Sequence, residues 1–235
     1  MRFPQSVYLW LVASVYFISF LFIALGVSFL FRPERYDPWL KKILRCFFKV
    51  LRIPVIVEGS EQIDPTKSYL FMSNHVSLFD IPLLGGFVPG LVRGLEAQRQ
   101  HRWPLYGWVM GRLGSIPIER ENIHSSIKSM KKTENAINEG HSIIILPEGH
   151  RTLDGNLKPF KKLPFYLAKK IDKDLFPIGL SGLFTLKRKG SWHIQPTTIK
   201  LKIGTIISRE KIDALSTREL RDYVRDKIKD LVEEP

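Results

Sequence analysis

The sequence contains a single cysteine, Cys46, among its 235 residues. One thiol cannot form an internal disulfide or supply a zinc site built from several cysteines. This scarcity excludes a small disulfide-stapled fold and is typical of a domain that works in a reducing compartment. The length allows one sizeable domain plus an appendage, and the apolar fraction of 44% is that of a folded protein.

Acidic residues are also few. Lys and Arg number 36 against 23 Asp and Glu, which gives a formal net charge of +13. A basic excess attracts polyanions, so nucleic acid, an anionic membrane surface and phosphorylated substrates are candidate partners. The basic residues are interleaved with membrane-type helices and no nucleic-acid-binding motif is present, so we expect no nucleic-acid partner.

Charge is absent altogether from residues 7–31, VYLWLVASVYFISFLFIALGVSFLF. About 20 apolar residues suffice to cross a bilayer, whereas the apolar part of a signal peptide has about 7–15. We therefore predict a retained membrane anchor. Basic residues after the run place the C-terminal side in the cytoplasm if the helix spans, and an in-plane helical hairpin is the alternative. The expected protein is membrane-bound, with its main domain at the cytoplasmic face.

The segment that follows, DPWLKKILRCFFKVLRIP, has apolar residues at intervals of three and four with basic residues between them. This pattern predicts an amphipathic helix that begins at Asp37 and Pro38 and stops before Pro54. Such a helix lies in a lipid headgroup layer or packs on the main domain, and both alternatives are open. Residues 1–53 are thus predicted to be a membrane-anchoring region, and residues 54–235 the main domain.

Strand and helix patterns alternate after Pro54. The clearest strand is SIIILP at residues 142–147, a continuous β-branched run of the kind buried on both faces. Further strands are predicted at residues 55–59, 69–73, 90–95, 115–119, 175–180 and 197–207. Helices are predicted at residues 77–85, 104–113, 122–139, 161–171 and 216–233. This alternation predicts an α/β fold with a mixed, largely parallel sheet flanked by helices.

Polar motifs follow three of these strands. The first is SNHVSLFD, in which His75 and Asp80 stand five apart. An aspartate bonded to one ring nitrogen of a histidine leaves the other nitrogen free to take a proton from a hydroxyl, so the two residues are a candidate acid–base pair. Their contact requires the residues between them to be non-helical. A capping Asn74 beside a structural histidine is the alternative, and we expect no metal site because no other cluster has ligand spacing.

The other two motifs carry arginine. GSIPIER ends in Arg120, and LPEGHRT contains Glu148, Gly149 and Arg151. Because the carboxyl ends of parallel strands meet at one edge of a sheet, these residues are expected near His75. Arginine suits bidentate phosphate binding, and glycine permits a ligand to approach the backbone. In the alternative interpretation, Arg120 forms a surface ion pair with Glu121, and Arg151 forms one with Glu148.

Taken in order, SNHVSLFD, GSIPIER, LPEGHRT and FPIGL resemble the four motif blocks of the glycerolipid acyltransferases, over about residues 55–186. The best-known members of this family acylate 1-acylglycerol-3-phosphate. The resemblance implies an enzyme that moves a fatty acyl group from acyl-CoA or acyl-carrier protein to the free hydroxyl of a membrane lysophospholipid. The expected acceptor is 1-acylglycerol-3-phosphate, which gives phosphatidic acid, and no cofactor is implied beyond the thioester co-substrate.

The same resemblance assigns roles to particular residues. It implies that His75 is the general base for the acceptor hydroxyl and that Asp80 orients it. The residues implied to bind substrate are Asn74, Arg120, Glu148, Gly149 and Arg151. No covalent acyl-enzyme is expected, in agreement with the absence of a G-x-S-x-G motif.

Three features depart from the family pattern. His150 stands where threonine is usual, Glu119 stands where aspartate is usual, and the stretch RGLEAQRQHRWPLYG is longer and more basic than the usual link. These departures leave the acceptor headgroup open. The alternatives are an acyltransferase for another lysolipid, an acyl-thioester hydrolase in which water replaces the acceptor, and a lipid-binding protein with an inactive site.

Overall fold

Short apolar runs form the central strands, a long apolar run forms the N-terminal helix, and amphipathic runs form several of the other helices. The structure, a computed structural model, describes residues 2–118 and 123–233. The strands are β1 (Val55–Glu58), β2 (Leu70–Ser73), β3 (Val92–Ala97), β4 (Ile116–Ile118), β5 (Ser142–Ile145), β6 (Leu175–Ser181) and β7 (Ile199–Ile203). The helices are α1 (Arg2–Leu30), α2 (Pro33–Val50), α3 (Asp80–Phe87), α4 (Tyr106–Arg112), α5 (Ile123–Asn138), α6 (Leu163–Lys170), α7 (Leu183–Leu186), α8 (Arg209–Ala214) and α9 (Thr217–Leu231).

Within these described ranges, seven strands form one sheet in the order β1-β7-β6-β2-β5-β3-β4. Each pairing is parallel except that of β6 with β7. The strands β2, β5 and β6 are buried along their whole length, as expected at the centre of a sheet covered on both faces. The predicted fold class, a mixed and largely parallel sheet flanked by helices, is confirmed.

Two apolar clusters cover the two faces of the sheet. Successive residues of a strand point to opposite faces, and on β2 the side chain of Phe71 packs toward α2 and α3. Its neighbours Leu70 and Met72 belong to the other cluster, which includes side chains of α6 and α9. The helices therefore hold the sheet from both sides and fix the ends of its central strands.

The N-terminal helix α1 is long and apolar enough to cross a membrane over Phe3–Leu30. One side of it packs on the protein, where Leu9 and Ala13 join the same apolar cluster as Phe71. The opposite side is exposed and apolar, with Leu11 among its residues. This combination fits association with a membrane. The predicted division of the chain after residue 53 stays a prediction.

Helix α2 begins at Pro33, earlier than the predicted start at Asp37 and Pro38, so that prediction was wrong. Proline suits the first position of a helix because its missing N–H would have no intrahelical partner there. One side of α2 packs on the main domain, which agrees with the alternative in which the amphipathic helix packs there. On its other side Trp39 is 67% exposed, with the ammonium of Lys42 4.9 Å from the ring centre.

The contact between β6 and α9 depends on Gly179. A methyl group at this position would lie 2.5 Å from Cβ of Leu231 and 2.8 Å from its carbonyl carbon. We expect Gly179→Ala to lower the free energy of unfolding by about 1–3 kcal/mol, because the backbone of α9 must shift. Denaturant-induced unfolding measures this change. Gly111→Ala is the control, since a methyl group there meets nothing within 4 Å, and an equal loss in both variants would contradict the prediction.

Candidate active site

The segments that follow β2 and β5 meet at the carboxyl edge of the sheet. The two strands are adjacent and parallel. Beyond them, the backbone N–H of Thr152 donates to the carbonyl oxygen of His75 at 2.9 Å. The motif after β2 and the motif after β5 are therefore in direct contact, as their positions in the sequence predicted. Arg120 lies outside the described residues, so its expected position near His75 stays a prediction.

The carboxylate of Asp80 organises the turn after β2. Its Oδ2 accepts hydrogen bonds from Nδ1 of His75 at 2.7 Å and from the backbone N–H of Val76 at 2.8 Å. Its Oδ1 accepts one from the backbone N–H of Ser77 at 2.9 Å. These bonds require residues 74–79 to be non-helical, and α3 begins only at Asp80. The predicted contact and its structural condition are both present.

The two side chains of this pair differ in their access to solvent. The side chain of Asp80 has no exposed surface, whereas that of His75 is 14% exposed. Since Nδ1 donates to a carboxylate, it carries the ring proton and Nε2 is the nitrogen left with a lone pair. The geometry therefore presents a histidine that can accept a proton, with its tautomer fixed from behind.

Glu148 connects this turn to the segment after β5. Its Oε1 accepts a hydrogen bond from the backbone N–H of His75 at 2.7 Å, and its Oε2 accepts one from the backbone N–H of Lys158 at 2.9 Å. The pKa of Glu148 is raised to about 7, chiefly by burial and also by the negative charge of Asp80, although the two backbone hydrogen bonds and the charge of Lys158 act in the opposite direction. Among the ion pairs of the described residues Glu148 forms none with Arg151, so that half of the alternative interpretation was wrong. The pairing of Arg120 with Glu121 lies outside the described residues.

Asn74 joins the end of β2 to β6. Its side-chain N–H₂ donates to the carbonyl oxygen of Leu180 at 2.9 Å, and its side-chain oxygen accepts from the N–H of Leu180 at 2.8 Å. The amide is therefore engaged with the backbone of the neighbouring strand. Gly149 has a φ of 77°, a left-handed conformation that suits glycine. The predicted roles of Asn74, Glu148 and Gly149 in binding substrate stay predictions.

Lys187, which is not among the site residues predicted from the sequence, also lies at this edge. The hydroxyl of Ser77 donates to the carbonyl oxygen of Lys187 at 2.8 Å. The residue is only 5% exposed. Burial lowers the pKa of its ammonium, and the positive charge of Arg151 lowers it further. The one signal in the sequence is the basic run LKRKG at residues 186–190.

Apolar space adjoins the turn. A groove of about 310 Å³ lies between α1, the turn and the segment before α4. It is lined by Trp10, Ala13, Ser14, Phe17, Leu21, Phe47, Leu78, Phe79, Ile81, Pro82, Gln100, Trp103 and Tyr106. A hydrocarbon chain would fit in such a groove beside the carboxyl edge of the sheet. The site therefore combines a proton acceptor, two cations and an apolar surface.

The fold and this geometry define a class of protein: an α/β domain with an apolar N-terminal helix and a histidine–aspartate pair at the carboxyl edge of a largely parallel sheet. The family model described as Acyltransferase matches residues 54–181, more than half of the chain. The chain therefore belongs to the acyltransferase family.

Individual relatives have more specific names. A 1-acyl-sn-glycerol-3-phosphate acyltransferase of Limnanthes douglasii is 32% identical over 174 residues, which cover 74% of this chain and 60% of that protein. A protein of the same name from Saccharomyces cerevisiae is 29% identical over 199 residues, which cover 81% of this chain and 65% of that protein. The chain thus spans 60% to 65% of the length of these two relatives.

A solved structure matches nearly the whole chain. It is the crystal structure of the 1-acyl-sn-glycerophosphate (LPA) acyltransferase, PlsC, from Thermotoga maritima. The two structures superpose with a TM-score of 0.80 at 28% sequence identity. The match covers 97% of this chain and 94% of the other, so the N-terminal helices and the sheet have counterparts there.

The raised pKa of Glu148 should make the free energy of unfolding depend on pH. Its pKa is about 7 in the folded protein, above the ordinary value of 4.5, so the folded state keeps a proton that the unfolded chain loses. Stability from this group therefore falls as the pH rises from about 4.5 to about 7, by roughly 3 kcal/mol in total. The difference in unfolding free energy between wild type and Glu148→Gln, measured across this range, should follow that fall. A constant difference would contradict the assignment.

Proposed function

We propose that this protein transfers a fatty acyl group from an acyl thioester to the free hydroxyl of a lysophospholipid. The proposed acceptor is 1-acylglycerol-3-phosphate, and the product is phosphatidic acid. The observation that carries the proposal is the 2.7 Å contact of His75 with the buried Asp80 at the catalytic edge of an acyltransferase-family fold. The names of the relatives from Limnanthes douglasii and Saccharomyces cerevisiae support the choice of acceptor.

In the proposed mechanism, Nε2 of His75 removes the proton from the acceptor hydroxyl as its oxygen attacks the thioester carbonyl carbon. Asp80 holds the ring in the required tautomer and stabilises the imidazolium that forms. The tetrahedral intermediate then collapses, the carbon–sulfur bond breaks, and the leaving thiolate receives the proton that His75 took from the hydroxyl. An ester and a free thiol result, and no covalent acyl-enzyme is needed.

The remaining predicted site residues take two kinds of role in this proposal. Arg151 binds the phosphate of the acceptor, and Arg120, which lies outside the described residues, is proposed to assist it. Asn74 and Glu148 hold the turn through backbone hydrogen bonds, so they position His75. The left-handed Gly149 lets substrate approach the chain closely.

The membrane supplies the acceptor. The apolar α1 is proposed to keep the protein at the bilayer, and the basic residues after it favour the cytoplasmic face. A thioester donor in the cytoplasm, either acyl-CoA or acyl-carrier protein, would then reach the site from the water. No cofactor beyond this co-substrate is proposed.

Replacement of the proposed base tests this function. We expect His75→Ala to lower the rate of labelled acyl transfer to 1-acylglycerol-3-phosphate by about 10²–10⁴-fold, because proton removal from the hydroxyl is lost. The fold and membrane association should persist, as circular dichroism and membrane flotation would show. His193→Ala is the matched control, since His193 is exposed and remote from the turn in sequence.

The same assay separates the alternatives. Transfer by the wild type to another lysolipid alone would keep the reaction and change the acceptor. Steady release of free thiol without transfer to any acceptor would favour the hydrolase. Undiminished transfer by His75→Ala would remove His75 from the mechanism.

A further inference from the structure

Lys187 places a positive charge in the interior without an acidic partner. Among the ion pairs of the described residues none includes Lys187 or Arg151. The ammonium donates to the carbonyl oxygen of Arg188 at 3.0 Å and lies 5.7 Å from the centre of the Trp10 ring. An ammonium has three N–H donors, so donors are left for a ligand. A buried cation in this state is stabilised by an anion.

Both cations belong to segments that are hydrogen-bonded to the turn that carries the proposed base. The carbonyl oxygen of Lys187 accepts from the hydroxyl of Ser77, two residues after His75. Thr152, the neighbour of Arg151, donates its N–H to the carbonyl oxygen of His75. The two positive groups are close enough for the charge of Arg151 to lower the pKa of Lys187, after the larger effect of burial. Two neighbouring cations suit a phosphate monoester.

Trp10 connects this cationic site to the apolar groove. Its ring faces Lys187 on one side and also lines the groove. The groove continues along α1 past Ala13 and Phe17 to Leu21. From Trp10 to Leu21 the helix rises about 16 Å, a length that accommodates much of a fatty acyl chain. One end of this surface is thus cationic, and the rest is apolar.

We propose that the lysophospholipid lies along α1, with its phosphate on Lys187 and Arg151 and its acyl chain in the groove from Trp10 to Leu21. This inference rests on the proposed function and adds to it a binding residue and a path for the acceptor. The helix that anchors the protein then also forms one wall of the acceptor site. The charged phosphate of this ligand then meets the cationic end of the surface, and its hydrocarbon chain meets the apolar groove.

Binding of the acceptor tests the role of Lys187 without any turnover. The full chain in uncharged detergent micelles is titrated with 1-acylglycerol-3-phosphate and, separately, with the uncharged monoacylglycerol of the same chain length. Loss of a charge-assisted hydrogen bond should weaken binding of the phosphate-bearing ligand to Lys187→Met by about 10–100-fold. Binding of the monoacylglycerol should change by less than about threefold, and Lys187→Arg should restore most of the loss.

Lys189→Met is the matched control, because it removes the same charge from the same segment two residues away. Equal affinity of Lys187→Met and Lys189→Met for 1-acylglycerol-3-phosphate would overturn the proposal. Equal weakening for the phosphate-bearing and the uncharged ligand would also overturn it, since the effect would then be general damage to the site.

A second variant tests the groove. Ala13→Phe fills it from α1, and we expect it to weaken binding of long-chain 1-acylglycerol-3-phosphate more than that of short-chain forms. Ser19→Phe, on the exposed outer side of α1, should leave this chain-length preference unchanged. A change in the preferred chain length of the thioester donor alone would place the donor in the groove and overturn the proposal. Failure of the proposed function would look different from failure of either binding test. In that case the wild-type protein would bind 1-acylglycerol-3-phosphate but would not acylate it.

Discussion

At the carboxyl end of β2 a carboxylate with no exposed surface accepts hydrogen bonds from three N–H groups. Burial of Asp80 is tolerated because each of its oxygens has a donor, and a buried carboxylate without donors would be very costly. Two of the donors are backbone groups, so the carboxylate fixes the course of the chain around it. The third is Nδ1 of His75, so the same carboxylate also fixes the imidazole.

Two other buried side chains of the site, Glu148 and Asn74, also accept hydrogen bonds from backbone N–H groups. Glu148 bonds to the N–H of His75 and to that of Lys158, so a second carboxylate ties the turn to the neighbouring segment. Asn74 exchanges two hydrogen bonds with Leu180 and so attaches the turn to β6. The parallel pairing of β2 with β5 and β6 places all these groups at one edge. Hydrogen bonds to β6, to the segment after β5 and to the start of α3 therefore position the turn and its histidine.

Much of this arrangement was predictable from local patterns. Buried strands such as SIIILP stand out as β-branched runs, and the spacing of His75 and Asp80 depends only on a turn between them. The start of α2 was predicted wrongly because Asp37 and Pro38 resemble a helix start, whereas Pro33 fills that position. Helices α7 and α8 were not predicted, since four and six residues carry too little periodicity. Lys187 lies 110 residues from Ser77, a distance that no local pattern bridges.

In the proposed mechanism His75 acts as a base because Asp80 holds its ring, and Asp80→Asn removes this support. The amide keeps the size of the side chain and replaces one accepting oxygen with an N–H₂ group, so His75 loses its fixed tautomer. We predict that kcat/KM for acyl transfer to 1-acylglycerol-3-phosphate falls by at least about a hundredfold while the circular dichroism spectrum is unchanged. A folded Asp80→Asn protein that keeps its activity within about threefold of wild type would show that His75 does not depend on Asp80.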